Sequence, residues 1–325
     1  MFNYILRRLL YALPLLFGVN VLTFTLFFVV NSPNDMARMH LGQKHVTEQA
    51  IDNWKQQRGY HLPLLINTQA EGLDSIKKTI FYQKSLRLFA FNFGISDSGR
   101  NIGEDIQQRM WPSLAIALPS LILGLILNIS VALMMVLFRQ SYLEFSSILL
   151  CVVIMSISSL FYIIGGQFLV GKLLMLVPIS GYDTGLNAIK FLILPVIISV
   201  VAGVGSGARW YRSLFLEEIE QDYVRTARAK GLTETQVLFR HVLKNAMIPI
   251  LTGVVVILPL LFMGSLITES FFSIPGLGSY TIDAINSQDF AIVRAMVFLG
   301  SVLYIIGLLL TDISYTLVDP RVRLS

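Results

Sequence analysis

Two carboxylates stand at the margins of long apolar runs: Glu269, just before SFFSIPGLGSY, and Asp312, near the end of the last run. Charge is costly in lipid, so an acid so placed is a candidate proton carrier, gate or structural anchor. A second pattern invites nucleotide chemistry, because GQFLVGKL at residues 166 to 173 has the spacing G-x-x-x-x-G-K. The rest of a phosphate cradle is missing. Leu173 stands where Ser or Thr would hold magnesium, and the flanks are apolar helix rather than strand. Lys172 is then a side chain reaching for the outer membrane interface. No H-E-x-x-H pattern and no nucleophile with a neighbouring base occurs, and His40, His45 and His61 lie apart. A single cysteine, Cys151, excludes an internal disulfide and a thiolate metal cluster. Catalysis and cofactor binding have no evident home in the chain.

The elements that position these groups follow from composition. The chain has 325 residues, 54% of them hydrophobic and 14% charged, with mean hydropathy +0.68; soluble domains carry roughly 25% charged residues. The pattern predicts an all-α polytopic membrane protein. Apolar runs long enough to span lipid lie near 9–30, 112–138, 146–174, 191–208, 246–268 and 291–313, about six spans in all. Basic residues orient them. With the N-terminus in the cytoplasm, that side receives Arg7 and Arg8, Arg139, the basic stretch between 209 and 245, and Arg321 and Arg323, while the short loop 269–290 has no Lys or Arg. Both termini are therefore expected in the cytoplasm, with 1–30 as N-terminal segment and first span, 31–111 as a small helical external subdomain, and 112–325 as a five-helix core. In the subdomain Thr47 should cap a helix ending near Arg58 and Gly59, and Leu73 to Phe91 reads as a second amphipathic helix. Gly203 and Gly207 have the spacing that lets membrane helices approach closely.

One stretch resists the apolar pattern. Residues 222 to 251 read DYVRTARAKGLTETQVLFRHVLKNAMIPIL. VRTARA favours a helix, Gly231 suits the left-handed residue that ends one, and Thr233 and Gln236 have capping-box spacing. Leu232 and Val237 sit where a hydrophobic staple would close the second helix, on which Val237, Leu238, His241, Val242 and Ala246 share a face. The helix-glycine-helix pattern also suits a DNA reader, but spans end and begin so close by that a duplex would meet the bilayer first. Nucleic acid is not an expected partner.

DYVRTARAKGL followed by RHVLKNAMIP resembles the EAA loop of the membrane subunits of bacterial ABC importers, in the oligopeptide/dipeptide permease family. ILRRLL near the N-terminus, VPISGY at 177–182, ESFFSIPGLG at 269–278 and LVDPRVR at the end are similar to other passages of that family. The resemblance implies a type I importer fold in the bacterial inner membrane. It also implies a translocation path shared with a second, homologous permease, two ATP-binding subunits that hold ATP and Mg, and an extracytoplasmic substrate-binding protein. It places Arg225, Thr226 and Ala227 at the E-A-A positions, Gly231 at the glycine, and His241 and Leu243 at the I and L of a later I-x-L-P, with Leu232 in the coupling turn. Arg225 departs from Glu and Lys244 from Pro. Glu269, Thr268, Pro275, Gly276, Gly278 and Gln167 are candidate gate or pathway residues. Peptides are the favoured substrate; polyamines, nickel, haem, glutathione and antimicrobial peptides are the alternatives within the family. A proton-driven carrier using Glu269 and Asp312 and a membrane scaffold that recruits a cytoplasmic protein are the competing readings.

Overall fold

The computed structural model describes the backbone of residues 2–42 and 46–318 and the side chains of 6–42 and 46–314; His45, Arg321 and Arg323 lie outside the described residues. Among the described residues there is no strand, only one isolated bridge between Ile95 and Asn101. Five helices among the described residues are long and apolar enough to cross a membrane: Leu6–Val30, Ile102–Leu137, Gly185–Ile219, Glu234–Met263 and Phe290–Ser314. A sixth crossing is a broken one, in which Tyr142–Ser156 and Ser159–Leu173 meet at 87°. The chain divides into two compact units, one of Met1–Arg109 with Tyr280–Leu309 and one of Met110–Ser279 with Leu310–Arg323.

In the first unit α1 (Phe2–Phe24) runs on through a looser turn to Val30, and Ser32 caps α2 (Pro33–Leu41) with a capping box to Asp35. α3 (Glu48–Arg58) begins at Thr47, whose side chain accepts from Ala50 N, and ends at left-handed Gly59, as its sequence predicts. The helix expected over Leu73 to Phe91 is instead three pieces: α4 (Asp74–Lys77), α5 (Ile80–Lys84) and a tight turn at Leu86–Ala90. The break has a cause outside the segment. Ile80 N and Phe81 N donate to the carbonyls of Pro63 and Leu64, and Thr79 turns to cap α5. The strap this makes lies along α1, with Phe81 edge-on to Phe24 at 4.9 Å and the buried Asn20 amide donating to Ser85 O at 3.1 Å. Phe24, Phe28, Met36, Ile51, Trp54, Tyr60 and Ile80 form the core beneath it.

In the second unit α6 (Ile102–Leu137) starts ten residues before the expected span, inside the stretch read as external loop. α7 (Tyr142–Ser156) and α8 (Ser159–Gly166) are the two arms of the broken crossing. Ile157 and Ser158 are extended there, and Tyr162 Oη donates to the freed carbonyl of Ile154 at 2.9 Å, so the break leaves that group satisfied in an apolar setting. α9 (Ala188–Ile219) continues past the expected end at 208 by about 16 Å of helix. Against α7 it places Gly205 rather than Gly203: a Cβ at Gly205 would fall 2.5 Å from the Cys151 carbonyl, one at Gly207 would strike the Asn128 amide, and one at Gly203 would meet nothing within 4 Å. The expected pairing of Gly203 with Gly207 is thereby corrected: Gly205 closes on α7 and Gly207 on Asn128 of α6, while Gly203 lies at neither contact. Glu144 and Arg212 join the same two helices in a short ion pair, and Glu144 also accepts from Gln140 N.

Gly205→Val should destabilise the fold by about 1–3 kcal/mol, since the colliding atom is backbone, and Gly203→Ala should stay within about 0.5 kcal/mol of the parent. Thermal unfolding of the purified protein in detergent measures both, and equal effects at the two glycines would refute the assigned contact.

Candidate functional site

The polar interlude folds from its own local signals. α10 (Asp222–Ala229) closes when Lys230 N reaches Thr226 O and Gly231 N reaches Arg228 O, with Gly231 at φ +81°. Thr233 then opens α11 (Glu234–Val237): its side chain accepts from Gln236 N, and Gln236 returns a bond to Thr233 N. Arg228 spans the turn with a two-pronged contact to Glu234, at 2.8 and 3.0 Å. This pair holds Arg228 protonated more firmly than usual. After a looser turn at Leu238–Val242, α12 (Leu243–Ile257) enters the apolar region.

The two faces of this element differ sharply. Val224, Ala227, Val237, Leu238 and Val242 are buried against Leu133 and Val136 of α6 and Phe215 of α9. Leu232 and Leu243 pack on the same core from its margin, and His241 is half-buried. Arg225, Thr226, Lys230 and Gly231 face outward. Ala227, the last of the three E-A-A positions, belongs to the inner face. Arg225 makes only a 3.4 Å contact with Asp222 on its own helix, both side chains being largely exposed.

The proposed gate residues converge on a second feature. α13 (Leu266–Phe272) carries Thr268 and Glu269, both buried, and α14 (Leu277–Asn286) follows the IPG turn. Glu269 accepts from Ser265 N and Ser279 N, each at 3.1 Å, and also bonds Gly278 N–H and the Ser113 hydroxyl. Ser113 Oγ in turn accepts from Leu277 N at 2.8 Å. The first-turn amides of α14, which no intrahelical carbonyl reaches, are thus met by a carboxyl group and a hydroxyl from elsewhere in the chain. The glycines are explained by closeness: a Cβ at Gly276 would lie 2.2 Å from Glu269 Oε2, and one at Gly278 would lie 2.6 Å from Ser265 backbone. Gln167 joins the cluster by donating to Phe271 O and Ile179 O at 2.9 and 3.1 Å. Pro275 is exposed at the tip. With Glu269 1% exposed and all these donors on it, its carboxyl group caps the start of α14. Asp312, the other acid, is half-buried and engaged with its surroundings.

Two elements of this architecture escaped the sequence. Ser113 gave no signal, since its partner Leu277 is 164 residues away. Glu144 did give one, because Ser141-x-x-Glu144 has N-cap spacing and Ser141 accepts from Glu144 N. Among the described residues no group of three or more His, Cys, Asp or Glu side chains is placed to hold a metal ion.

Replacing Glu269 with Ala strands several buried donors and should cost about 3 kcal/mol or more, at about 1–3 kcal/mol for each unmet group. Glu269→Gln keeps one acceptor oxygen and should cost less. Chemical unfolding followed by intrinsic fluorescence ranks the two, and an alanine variant as stable as the parent would contradict the cap.

Residues 132–324 match the family model described as "Binding-protein-dependent transport system inner membrane component". Residues 1–88 match its companion, "Binding-prot-dependent transport system membrane comp, N-term". The chain is 31% identical over 328 residues to the glutathione transport system permease protein GsiC of Salmonella paratyphi A, covering 99% of each chain. It is 30% identical over 332 residues to GsiC of Escherichia coli K12, again covering 99% of each. Full-length similarity, the apolar helices and the helix-turn-helix with one sealed and one exposed face agree: the chain belongs to the binding-protein-dependent transport system inner membrane component family and is a multi-pass permease subunit of an ABC importer in the inner membrane.

Proposed function

We propose that this permease imports a small peptide-like solute, that residues 222–245 are its mechanical connection to ATP-binding subunits, and that a second, homologous permease completes the translocation path. The observation that carries the coupling reading is the division of α10 and α11 into an inner face fused to the core of α6 and α9 and an outer ridge of Arg225, Thr226, Lys230 and Gly231. A subunit that grips the ridge moves the helix ends with it. α9, about 48 Å long, carries that displacement towards the far side of the membrane. A partner drives a change of access only by binding the two states differently, and nucleotide-dependent closure of ATPase subunits around ATP and Mg supplies that difference. The basic residues near the ridge and at the N-terminus favour a cytoplasmic location for both. An extracytoplasmic binding protein would deliver the solute to the opposite face. The substrate reading rests on the relatives named for glutathione transport, itself a tripeptide, and on similarity along the whole chain.

Gly231 supplies the test. A Cβ there meets nothing within 4 Å, so the only penalty on substitution is its left-handed backbone. Valine pays that strain, about 1–2 kcal/mol, whereas asparagine tolerates the conformation. Gly231→Val should leave membrane insertion intact and lower solute uptake and transporter ATPase activity at least tenfold, with Gly231→Asn close to the parent. Unchanged uptake and ATPase association in the valine variant would overturn the coupling role. Uptake of labelled glutathione and of dipeptides by cells that depend on this transporter tests the substrate separately.

A further inference from the structure

The first unit forms a half-open cavity of about 450 Å³, walled by the strap after α5, the end of α3, the loop NFGISDSG and the start of the last long helix, α15 (Phe290–Val318). The volume is that of a small-molecule site. Its charged lining is one-sided: Arg58, Lys84, Arg87 and Arg294 against Asp97 alone. Asp97 is already taken, bonded to Arg58 Nε at 2.7 Å. Among the described residues no carboxylate lies within 4.0 Å of Lys84, Arg87 or Arg294.

Arg294 is the unusual member. It is 4% exposed, and among the described residues its guanidinium is met by the carbonyls of Phe290 and Lys84, at 3.1 and 3.4 Å, and by the face of Phe28 at 4.7 Å. Asp289 and Asp97 offset its charge only from beyond ion-pair distance, and a cation withdrawn from water without a partner in contact is costly. Lys84 sits over the Tyr60 ring at 5.3 Å, and burial, then the charge of Arg294, pulls its ammonium down to about 8. Both costs fall when an anion enters. Asn92 accepts from Gly94 N through its carbonyl oxygen, which leaves its amide nitrogen free to donate.

We propose that this cavity binds a small oxyanion, a carboxylate or phosphate group, between Arg294, Lys84 and Arg87. The site is independent of the coupling loop and does not rest on its role. The strap after Leu73 and the loop NFGISDSG, both external passages, build much of it. Two sources share the chemistry: a soluble carboxylate or phosphate, and the phosphate of an anionic lipid headgroup.

The assembled transporter in phosphatidylcholine nanodiscs, titrated calorimetrically with inorganic phosphate, succinate and glutathione, tests the proposal. At least one should bind saturably, and both Lys84→Gln and Arg87→Gln should weaken it at least tenfold. Lys190→Gln, an exposed charge loss in the other unit, should change it less than twofold. Arg87 is exposed and Lys84 only half-buried, so both variants should keep the parent helical circular-dichroism spectrum. If no soluble anion binds but phosphatidylglycerol is retained in native mass spectrometry and lost in the same two variants, the source is the lipid headgroup and the site stands. Absence of both, or equal weakening by Lys190→Gln, overturns it.

Discussion

Inside hydrocarbon no water is available to meet a peptide N–H or carbonyl, so each must be met by the chain itself. Much of the molecule follows from that demand. Where the third crossing breaks at Ile157 and Ser158, Tyr162 returns to the carbonyl of Ile154. Where α8 loosens beyond Gly166, Gln167 spends its amide on two distant carbonyls. The same holds for groups buried from water outside the spans: where α14 begins, Glu269 and Ser113 take the place of the missing preceding turn. The polar interlude at 222–245 is freer because water can solvate its outer ridge, and there the chain keeps charged side chains that make few bonds of their own.

Legibility in the sequence follows the range of the interactions. The spans were readable from apolar content, and the turn at Gly231 and the caps at Thr47 and Thr233 were readable because each is completed within four residues. The strap after Leu73 was misread as one helix because helical periodicity survives in its sequence, while the carbonyls of Pro63 and Leu64 that divide it are set by tertiary folding. Gly203 and Gly207 matched a spacing rule, yet the direction of close approach depends on which face of α9 meets α7, and that selects Gly205. The candidate gate residues stand out as a passage, but their geometry depends on Ser113, which nothing near them announces. Glu269, which its sequence position makes a candidate proton carrier, gate or anchor, sits at the centre of the cap on α14.

The departure of Arg225 from the family's acidic residue has a physical explanation in relative magnitudes. The Arg228–Glu234 pair is partly exposed and contributes at most about 1 kcal/mol, and the Arg225–Asp222 contact is more exposed still. Burying Val224, Val237, Leu238 and Val242 contributes about 1.5–3 kcal/mol for each side chain. The apolar inner face, and not any ion pair, therefore fixes the helix-turn-helix to α6 and α9. Charge on the outer ridge can then change with little cost to the fold, and its sign becomes a property of the surface it meets. On the proposed coupling role, arginine at 225 is a constraint on the partner: the surface that receives α10 should offer acidic or neutral groups at that point.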